Sequence, residues 1–184
     1  MSKPNKREFR AIQTLFYSTR GTCDRLRIAT TLWSPEPENI FLAGGYNGAP
    51  AGHPSCDEEG HLMIENHCMR TIHSEENALL NCFNSEKLVG GTATILGTPC
   101  YRCAIKLVAK KIGKLEFYGE YKNYQNAPDN EHIKKLFKDG NVEVACFPPE
   151  ELVIILKKCI GVLQSKGGAF QNFPNDFLFS QDNL

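Results

Sequence analysis

One histidine, one glutamate and two cysteines place the strongest constraint on how this chain can fold. A His-Ser-Glu run begins at His73, and a Pro-Cys-Tyr-Arg-Cys run occupies residues 99–103. Two cysteines three positions apart at the start of a helix can present both sulfur atoms to one ion, and a histidine from the preceding helix can add a third ligand. We therefore expect a fold that brings His73 next to Cys100 and Cys103.

Three protein ligands would leave one position of a tetrahedral zinc ion open for water, which distinguishes a catalytic zinc site from a structural one. Zinc lowers the pKa of such a water towards about 7. Glu75 follows His73 closely enough to stand beside the water without binding the metal, and can carry its protons. A redox cysteine pair would not need Glu75, and a structural zinc would take a fourth protein ligand. The residues therefore predict a catalytic zinc on His73, Cys100 and Cys103, with Glu75 as proton carrier.

The charge balance and the cysteine count limit the partners and the compartment. The 21 basic and 21 acidic side chains cancel, which leaves no positive excess for gripping a polynucleotide, although a small anion needs only a few cations. The longest apolar run, residues 152–156, is too short to cross a bilayer, and the basic N-terminus lacks the apolar stretch of a secretory signal. Eight cysteines in such a chain are typical of thiols and metal ligands. We expect a cytoplasmic protein without a nucleic-acid or membrane partner.

The order of the hydrophobic patterns predicts one α/β domain over residues 1–163. An amphipathic helix is expected over residues 5–19, followed by strands over 28–33 and 40–46 that a proline-rich turn joins. The later elements are predicted as helix 71–83, strand 92–97, helix 101–111, strand 115–118, helix 130–138, strand 142–147 and a helix from 148 to 163. Strands that alternate with helices after an opening hairpin indicate an α/β sandwich with a mixed sheet.

A phenylalanine-rich tail over residues 164–184 follows the predicted domain. Phe170, Phe173, Phe177 and Phe179 lie among Gly, Asn, Gln and Asp without a clear period. Because four free phenylalanines would favour aggregation, we expect the tail to pack on the domain or on a neighbouring subunit.

Several runs resemble the deoxycytidylate deaminases of the cytidine deaminase superfamily. They are Gly-Tyr-Asn-Gly-Ala-Pro at 45–50, Cys-Asp-Glu-Glu-Gly-His at 56–61 and residues 67–78 around His73, and the His-x-Glu and Pro-Cys-x-x-Cys runs match the general zinc-deaminase signature. The resemblance implies a three-layer α/β/α cytidine-deaminase-like sandwich around a mixed five-stranded sheet. It also implies hydrolysis of dCMP to dUMP and ammonia, dCTP and dTTP as effectors, and a homo-oligomer.

Two further residues are predicted to contact the substrate. Asn47 carries an amide that both donates and accepts hydrogen bonds, which suits a sugar hydroxyl or a base edge, although Asn-Gly is also a good turn. Tyr121 occupies the place where the family has an aromatic residue near the nucleotide, and a packing role is equally open. The candidates for the 5′-phosphate are Arg25, Arg27, Arg70, Arg102 and Lys122.

The chain departs from the family pattern at three positions. Ser74 replaces the usual alanine between the ligand and the acid, Glu76 replaces an apolar residue, and Ala29 stands where the first strand usually has glycine. The four residues predicted to carry the chemistry are unaffected, so the departures bear on substrate choice.

A second group of soft ligands surrounds the long irregular loop predicted over residues 47–67. Loops of this length inside a compact domain are usually functional or held by something extra, such as a metal. The resemblance implies a second, structural zinc in this region, for which the expected ligands are Cys23, Cys56, His61 and Cys68, with His67 as the substitute. The alternative is a cluster of reduced cysteines with solvated histidines.

Three alternative functions stay open. Within the fold they are a deaminase of another cytosine nucleotide, such as dCTP, and a deaminase of a tRNA or free base. The distant alternative is a non-catalytic, zinc-stabilised nucleotide-binding protein, against which Glu75 argues because such a protein needs no proton carrier.

Overall fold

The computed structural model describes residues 2–65, 67–119 and 129–172. The strands in these ranges are β1 (Ala29–Trp33), β2 (Phe41–Tyr46), β3 (Met63–Ile64), β4 (His67–Cys68), β5 (Thr92–Leu96), β6 (Lys114–Tyr118) and β7 (Glu143–Phe147). The α-helices are α1 (Lys6–Ser18), α2 (Cys56–Glu59), α3 (Ser74–Leu80), α4 (Tyr101–Ala109), α5 (Asp129–Asp139) and α6 (Glu150–Gln164), and Ser85–Leu88 form a 3-10 helix. Helices and strands alternate after the opening hairpin, as the hydrophobic patterns predict.

Five of the described strands form the main sheet in the order β2-β1-β5-β6-β7. Strand β1 runs antiparallel to both β2 and β5, whereas β5, β6 and β7 are parallel to one another. Strands β3 and β4 form a separate two-stranded sheet. The predicted mixed five-stranded sheet is confirmed.

Helices cover both faces of the main sheet. On one face α1 packs against β1, β5 and α6, and on the other α3 packs against β1 and β2 while α4 packs against α5. The core of the first face includes Ala11, Ile12, Leu96, Tyr118, Leu152 and Ile155. The core of the second face includes Leu32, Ile95, Leu107, Leu115, Ile133 and Phe137. The predicted three-layer α/β/α sandwich is therefore confirmed, and its inner strands β1 and β5 are buried along their whole length.

A buried ion pair between Arg10 and Glu116 joins α1 to β6 of the main sheet. The guanidinium of Arg10 donates from Nε to Oε2 of Glu116 at 2.9 Å and from Nη2 to Oε1 at 2.6 Å. Thr94 also donates to the Glu116 carboxylate, at 3.3 Å, and the Lys114 ammonium lies 3.7 Å from it. Arg10 is 4% exposed and Glu116 is fully buried. Arg10 also lies 3.3 Å from the half-exposed Glu36, but its bidentate bonds make it the main countercharge of the buried Glu116 carboxylate.

Replacing Arg10 with methionine is expected to lower the free energy of unfolding by about 3 kcal/mol, because the Glu116 carboxylate stays buried without its bidentate partner. Urea unfolding at neutral pH measures this loss. The matched control is Lys6→Met, which breaks the half-exposed ion pair between Lys6 and Glu36 and should cost less than about 1 kcal/mol. Equal losses of unfolding free energy in the two variants would show that the buried ion pair stabilises the fold no more than the exposed one.

The segment between β2 and α3 differs from the sequence prediction. Residues 71 and 72 are not helical: residue 71 forms a bend, and Ile72 exchanges backbone hydrogen bonds with Gly48, at 2.9 Å from the Ile72 amide and 3.4 Å from the Gly48 amide. Helix α3 therefore begins at Ser74. The long loop also contains a short helix, α2, whose capping box joins Ser55 and Glu58, together with the β3–β4 hairpin.

The C-terminal part is described as far as residue 172. Helix α6 ends at Gln164, and turns follow it. Phe173, Phe177 and Phe179 of the predicted tail lie outside the described residues. Among the helices that the structure describes, none has both the length and the apolar character needed to cross a lipid bilayer.

Candidate functional site

The ends of two neighbouring helices bring the predicted catalytic ligands together. His73 is the N-cap residue of α3, Cys100 is the N-cap residue of α4, and Cys103 lies in the first turn of α4. Helix α3 reaches this position because Gly45 lets its backbone lie directly on β2. A Cβ atom at Gly45 would come within 2.2 Å of the Ala78 amide nitrogen.

The three ligand atoms have the spacing of a tetrahedral zinc site. Nδ1 of His73 lies 3.5 Å from Sγ of Cys100 and 3.6 Å from Sγ of Cys103. A nitrogen and a sulfur bound tetrahedrally at about 2.05 Å and 2.3 Å from one zinc ion are about 3.6 Å apart. His73 and Cys100 are exposed, whereas Cys103 is buried. The cluster therefore fits a zinc ion that is open to solvent on one side.

The two thiols of this cluster titrate as a pair. Hydrogen bonds from Cys103 and from His73 lower the pKa of Cys100 to about 4, against the effect of burial. The pKa of Cys103 is raised, first by its hydrogen bond to Cys100 and then by burial. One thiolate therefore forms readily, and loss of the second proton calls for a cation between the sulfurs.

Glu75 lies behind this cluster in the first turn of α3 and is 2% exposed. Burial raises the pKa of its carboxyl group, while its own backbone amide, the charge of His73 and the hydroxyl of Ser74 act in the opposite direction. The Ser74 hydroxyl lies 3.1 Å from Oε2 of Glu75 and 2.9 Å from the hydroxyl of Thr30. A buried carboxyl beside a metal cluster has the environment of a general acid and base.

The departure from the family pattern at Glu76 also has a structural partner. Its carboxylate lies 2.6 Å from Nζ of Lys106, and both side chains are about half exposed. This ion pair joins α3 to α4, the two helices whose first turns carry the ligands.

Asn47 is 7% exposed, and its side chain holds the segment that precedes β1. Its Oδ1 accepts from the Ile28 amide at 3.1 Å, and its Nδ2 donates to the Leu26 carbonyl. These bonds use part of the capacity of an amide, which offers two hydrogens and two lone pairs. Tyr121, the other predicted substrate contact, lies outside the described residues.

The phosphate candidates fall into two groups. Arg27 pairs with Asp57 at 3.5 Å and Arg70 pairs with Glu59 at 3.3 Å, so both are partly neutralised at α2. Arg25 lies nearby, against the Met63 sulfur. Arg102 is exposed in the first turn of α4, between the two cysteines of the catalytic cluster. Lys122 lies outside the described residues.

A second cluster forms around α2 and the β3–β4 hairpin. The ligand atoms of Cys23, Cys56, His61 and Cys68 all lie within 4.8 Å of one another. The two sulfurs of Cys56 and Cys68 are 3.5 Å apart, and Sγ of Cys23 is 3.7 Å from Nδ1 of His61. Sulfur atoms bound to one tetrahedral zinc are about 3.8 Å apart. Four ligands in this arrangement fit a closed site, and His67 is not among the four.

An acidic residue that sequence analysis missed supports the second cluster. Oδ1 of Asp24 lies 3.0 Å from Nε2 of His61, so it orients the ring with Nδ1 towards the sulfur atoms. A carboxylate in this position is a common partner of metal-binding histidines. Its place next to Cys23 in the sequence was the available signal.

The pKa values of two of its thiols are also perturbed. Burial raises the pKa of Cys56 to about 12. Burial also acts to raise that of Cys68, but hydrogen bonds from the backbone of Arg70 and from Cys56 and His61 outweigh it and bring the pKa to about 7. A thiolate at Cys68 is thus available near neutral pH to start metal binding.

Comparison with known proteins identifies the family of the chain. A family model described as the cytidine and deoxycytidylate deaminase zinc-binding region matches residues 5–118. The chain is 32% identical over 146 residues to ComE operon protein 2 of Bacillus subtilis (strain 168), a match covering 79% of this chain and 72% of that protein. It is 26% identical over 129 residues to the deoxycytidylate deaminase of Mycobacterium phage D29, covering 64% of this chain and 97% of that protein.

A solved structure shares the fold. The dCMP deaminase from the cyanophage S-TIM5, in complex with dCMP and dUMP, matches 80% of this chain and 100% of its own, with 22% identity and a TM-score of 0.61. At this identity the likeness supports the fold of the chain.

Proposed function

This chain belongs to the cytidine and deoxycytidylate deaminase family, and we propose that it hydrolyses dCMP to dUMP and ammonia. The observation that carries the proposal is the cluster of His73, Cys100 and Cys103 with zinc-like spacing beside the buried carboxyl of Glu75. The choice of dCMP is supported by the runs at 45–50 and 56–61, and by the phage relative named deoxycytidylate deaminase.

In the proposed mechanism, His73, Cys100 and Cys103 are the residues that would hold the catalytic zinc. A zinc ion bound there would supply a water activated for attack at neutral pH. The first turn of α4 contributes backbone amides that favour the thiolate form of the cysteines. Because His73 and Cys100 are exposed, the cytosine ring of the substrate can reach this cluster from solvent.

Glu75 moves the protons. It takes one proton from the attacking water as the new C–O bond forms at C4 of cytosine, and it passes this proton to N3. It then takes the proton of the new hydroxyl group and gives it to the amino group as the C4–N bond breaks, so that water and the cytosine ring yield uracil and ammonia. Its raised pKa, caused first by burial, suits a group that must both accept and donate a proton near neutral pH.

We also propose that Cys23, Cys56, His61 and Cys68 hold a second, structural zinc. The spacing of their ligand atoms, the contact of His61 with Asp24 and the closed set of four ligands support this site. The ion would join the segment before β1 to α2 and β4. A reduced cysteine cluster is the alternative.

Assembly and regulation complete the proposal. We propose a homo-oligomer in the cytoplasm, with dCTP and dTTP as effectors and with residues 164–184 packed on the domain or on a neighbouring subunit. The large exposed apolar side chains of Phe16, Leu80 and Phe83 support an apolar contact between copies. Light scattering of the purified chain, with and without each nucleotide, measures its assembly.

A panel of cytosine compounds tests the substrate. The zinc-loaded protein is expected to deaminate dCMP with kcat/KM at least about a hundredfold above that for cytosine or deoxycytidine, because a bound phosphate adds charge-assisted contacts. The ultraviolet change on conversion of cytosine to uracil measures each rate. A preference for dCTP would overturn only the choice of substrate. No turnover of any cytosine compound would overturn the proposed deaminase activity itself.

A further inference from the structure

A line of buried hydroxyl groups ends on the carboxylate of Glu75. Thr30, in β1, and Ser74, the first residue of α3, are both fully buried. The Thr30 hydroxyl lies 2.9 Å from the Ser74 hydroxyl, which lies 3.1 Å from Oε2 of Glu75. Sequence analysis noted Ser74 only as a departure from the family pattern.

The direction of these hydrogen bonds follows from the number of hydrogens. An ionised carboxylate accepts only, so Ser74 gives its single hydroxyl hydrogen to Oε2 of Glu75. Ser74 can then act towards Thr30 only as an acceptor, and Thr30 is the donor. The line therefore runs from Thr30 through Ser74 to Glu75.

The start of this line lies in a buried inner strand of the main sheet. Strand β1 lies between β2 and β5, and Thr30 is paired with Gly45 on one side and with Ile95 on the other. Glu75 has three side-chain torsions to fix, and its first turn of helix fixes only the backbone. A donor anchored in the sheet is the means by which a flexible carboxylate is held in one orientation.

We propose that Ser74, oriented by Thr30, is a positioning residue for the proton carrier. It anchors Oε2 of Glu75 and leaves Oε1 as the oxygen that exchanges protons with water and substrate. This inference rests on the proposed deaminase function, since it assigns Ser74 a role in that same reaction.

Kinetics of two variants and one conservative control test the proposal. Ser74→Ala is expected to lower kcat for dCMP about tenfold and Thr30→Val about threefold, with KM within about twofold of the wild-type value. Thr30→Ser keeps the hydroxyl and should restore the wild-type kcat. Zinc content, measured by mass spectrometry, should be the same in all four proteins.

Crystal structures of the zinc-loaded wild type and Ser74→Ala provide a readout that does not depend on activity. The carboxylate of Glu75 is expected to leave its wild-type position or to occupy more than one rotamer in the variant. A wild-type kcat in Ser74→Ala, a change confined to KM, or an unmoved carboxylate overturns the inference. Failure of the wild-type protein to deaminate dCMP would instead overturn the proposed function.

Discussion

Replacing Glu75 with glutamine is expected to lower kcat for dCMP at least about a thousandfold, since one residue carries the protons of both halves of the reaction and general acid–base catalysis contributes 10²–10⁴-fold. The amide has nearly the same shape as the carboxyl group but can neither take a proton from water nor give one to the ring. The ultraviolet assay measures the loss. Zinc content should stay at the wild-type value, because Glu75 is not among the clustered ligand atoms.

The neighbouring acid offers a matched control for Glu75. Glu76→Gln removes one carboxylate charge from the same turn of α3, but Glu76 is half exposed and its carboxylate is paired with Lys106. Its kcat should stay within about twofold of the wild-type value, because such exposed pairs contribute little. Retained activity in Glu75→Gln would contradict the assignment of Glu75 as the proton carrier, and an equal loss in both variants would show only an effect of charge.

The mixed sheet and the cluster of His73, Cys100 and Cys103 could be predicted because the sequence contains their signals directly. The number of strands and the second cluster were predicted from the family resemblance. Strands β5, β6 and β7 are short runs of β-forming residues, and helices separate them, which is the pattern of a parallel sheet. The clusters depend on residue types that few other sites need. Cys100 and Cys103 have the spacing of a shared metal ion, and the choice of His61 over His67 matches the four residues that the structure brings together.

The sequence prediction missed two local features, the start of α3 and the presence of α2, although the sequence contains a signal for α2. The helix predicted from residue 71 starts at Ser74, because Ile72 uses its backbone to bond Gly48, and hydrophobic spacing does not contain that contact. Helix α2 inside the long loop did have a signal, since Ser55 and Glu58 form the Ser-x-x-Glu capping box.

The contacts that refine the site could not be predicted, because they join residues far apart in the chain. Thr30 meets Ser74 across the interface between β1 and α3, and Asp24 meets His61 across the loop. A single sequence gives the period along each element but not which side chains meet between elements. The same limit explains Asn47, whose conspicuous amide is bonded to the segment that precedes β1.

The purified wild-type chain is expected to contain two zinc ions, and Cys56→Ser to contain one. Cys56 is buried at the start of α2, and its sulfur lies 3.5 Å from that of Cys68. Zinc that binds the folded state alone stabilises it, by about 4 kcal/mol at a free concentration of a thousand times Kd. Cys56→Ser loses this stabilisation, which for a chain of this size lowers Tm by roughly 10 °C. Mass spectrometry of the metal and scanning calorimetry measure the two effects.

Cys159→Ser separates loss of a ligand from loss of a thiol. Cys159 lies in α6, is partly buried against the core of the first face and lies outside both clusters, so its replacement should leave two zinc ions and lower Tm by only about 2–4 °C. The variant Cys56→Ser should also keep the zinc on His73, Cys100 and Cys103, and with it measurable dCMP turnover at temperatures below its lowered Tm. One zinc per chain in carefully purified wild-type protein would contradict the second site and leave the reduced cysteine cluster in its place, because four preformed ligands in a closed set would not lose their ion in purification.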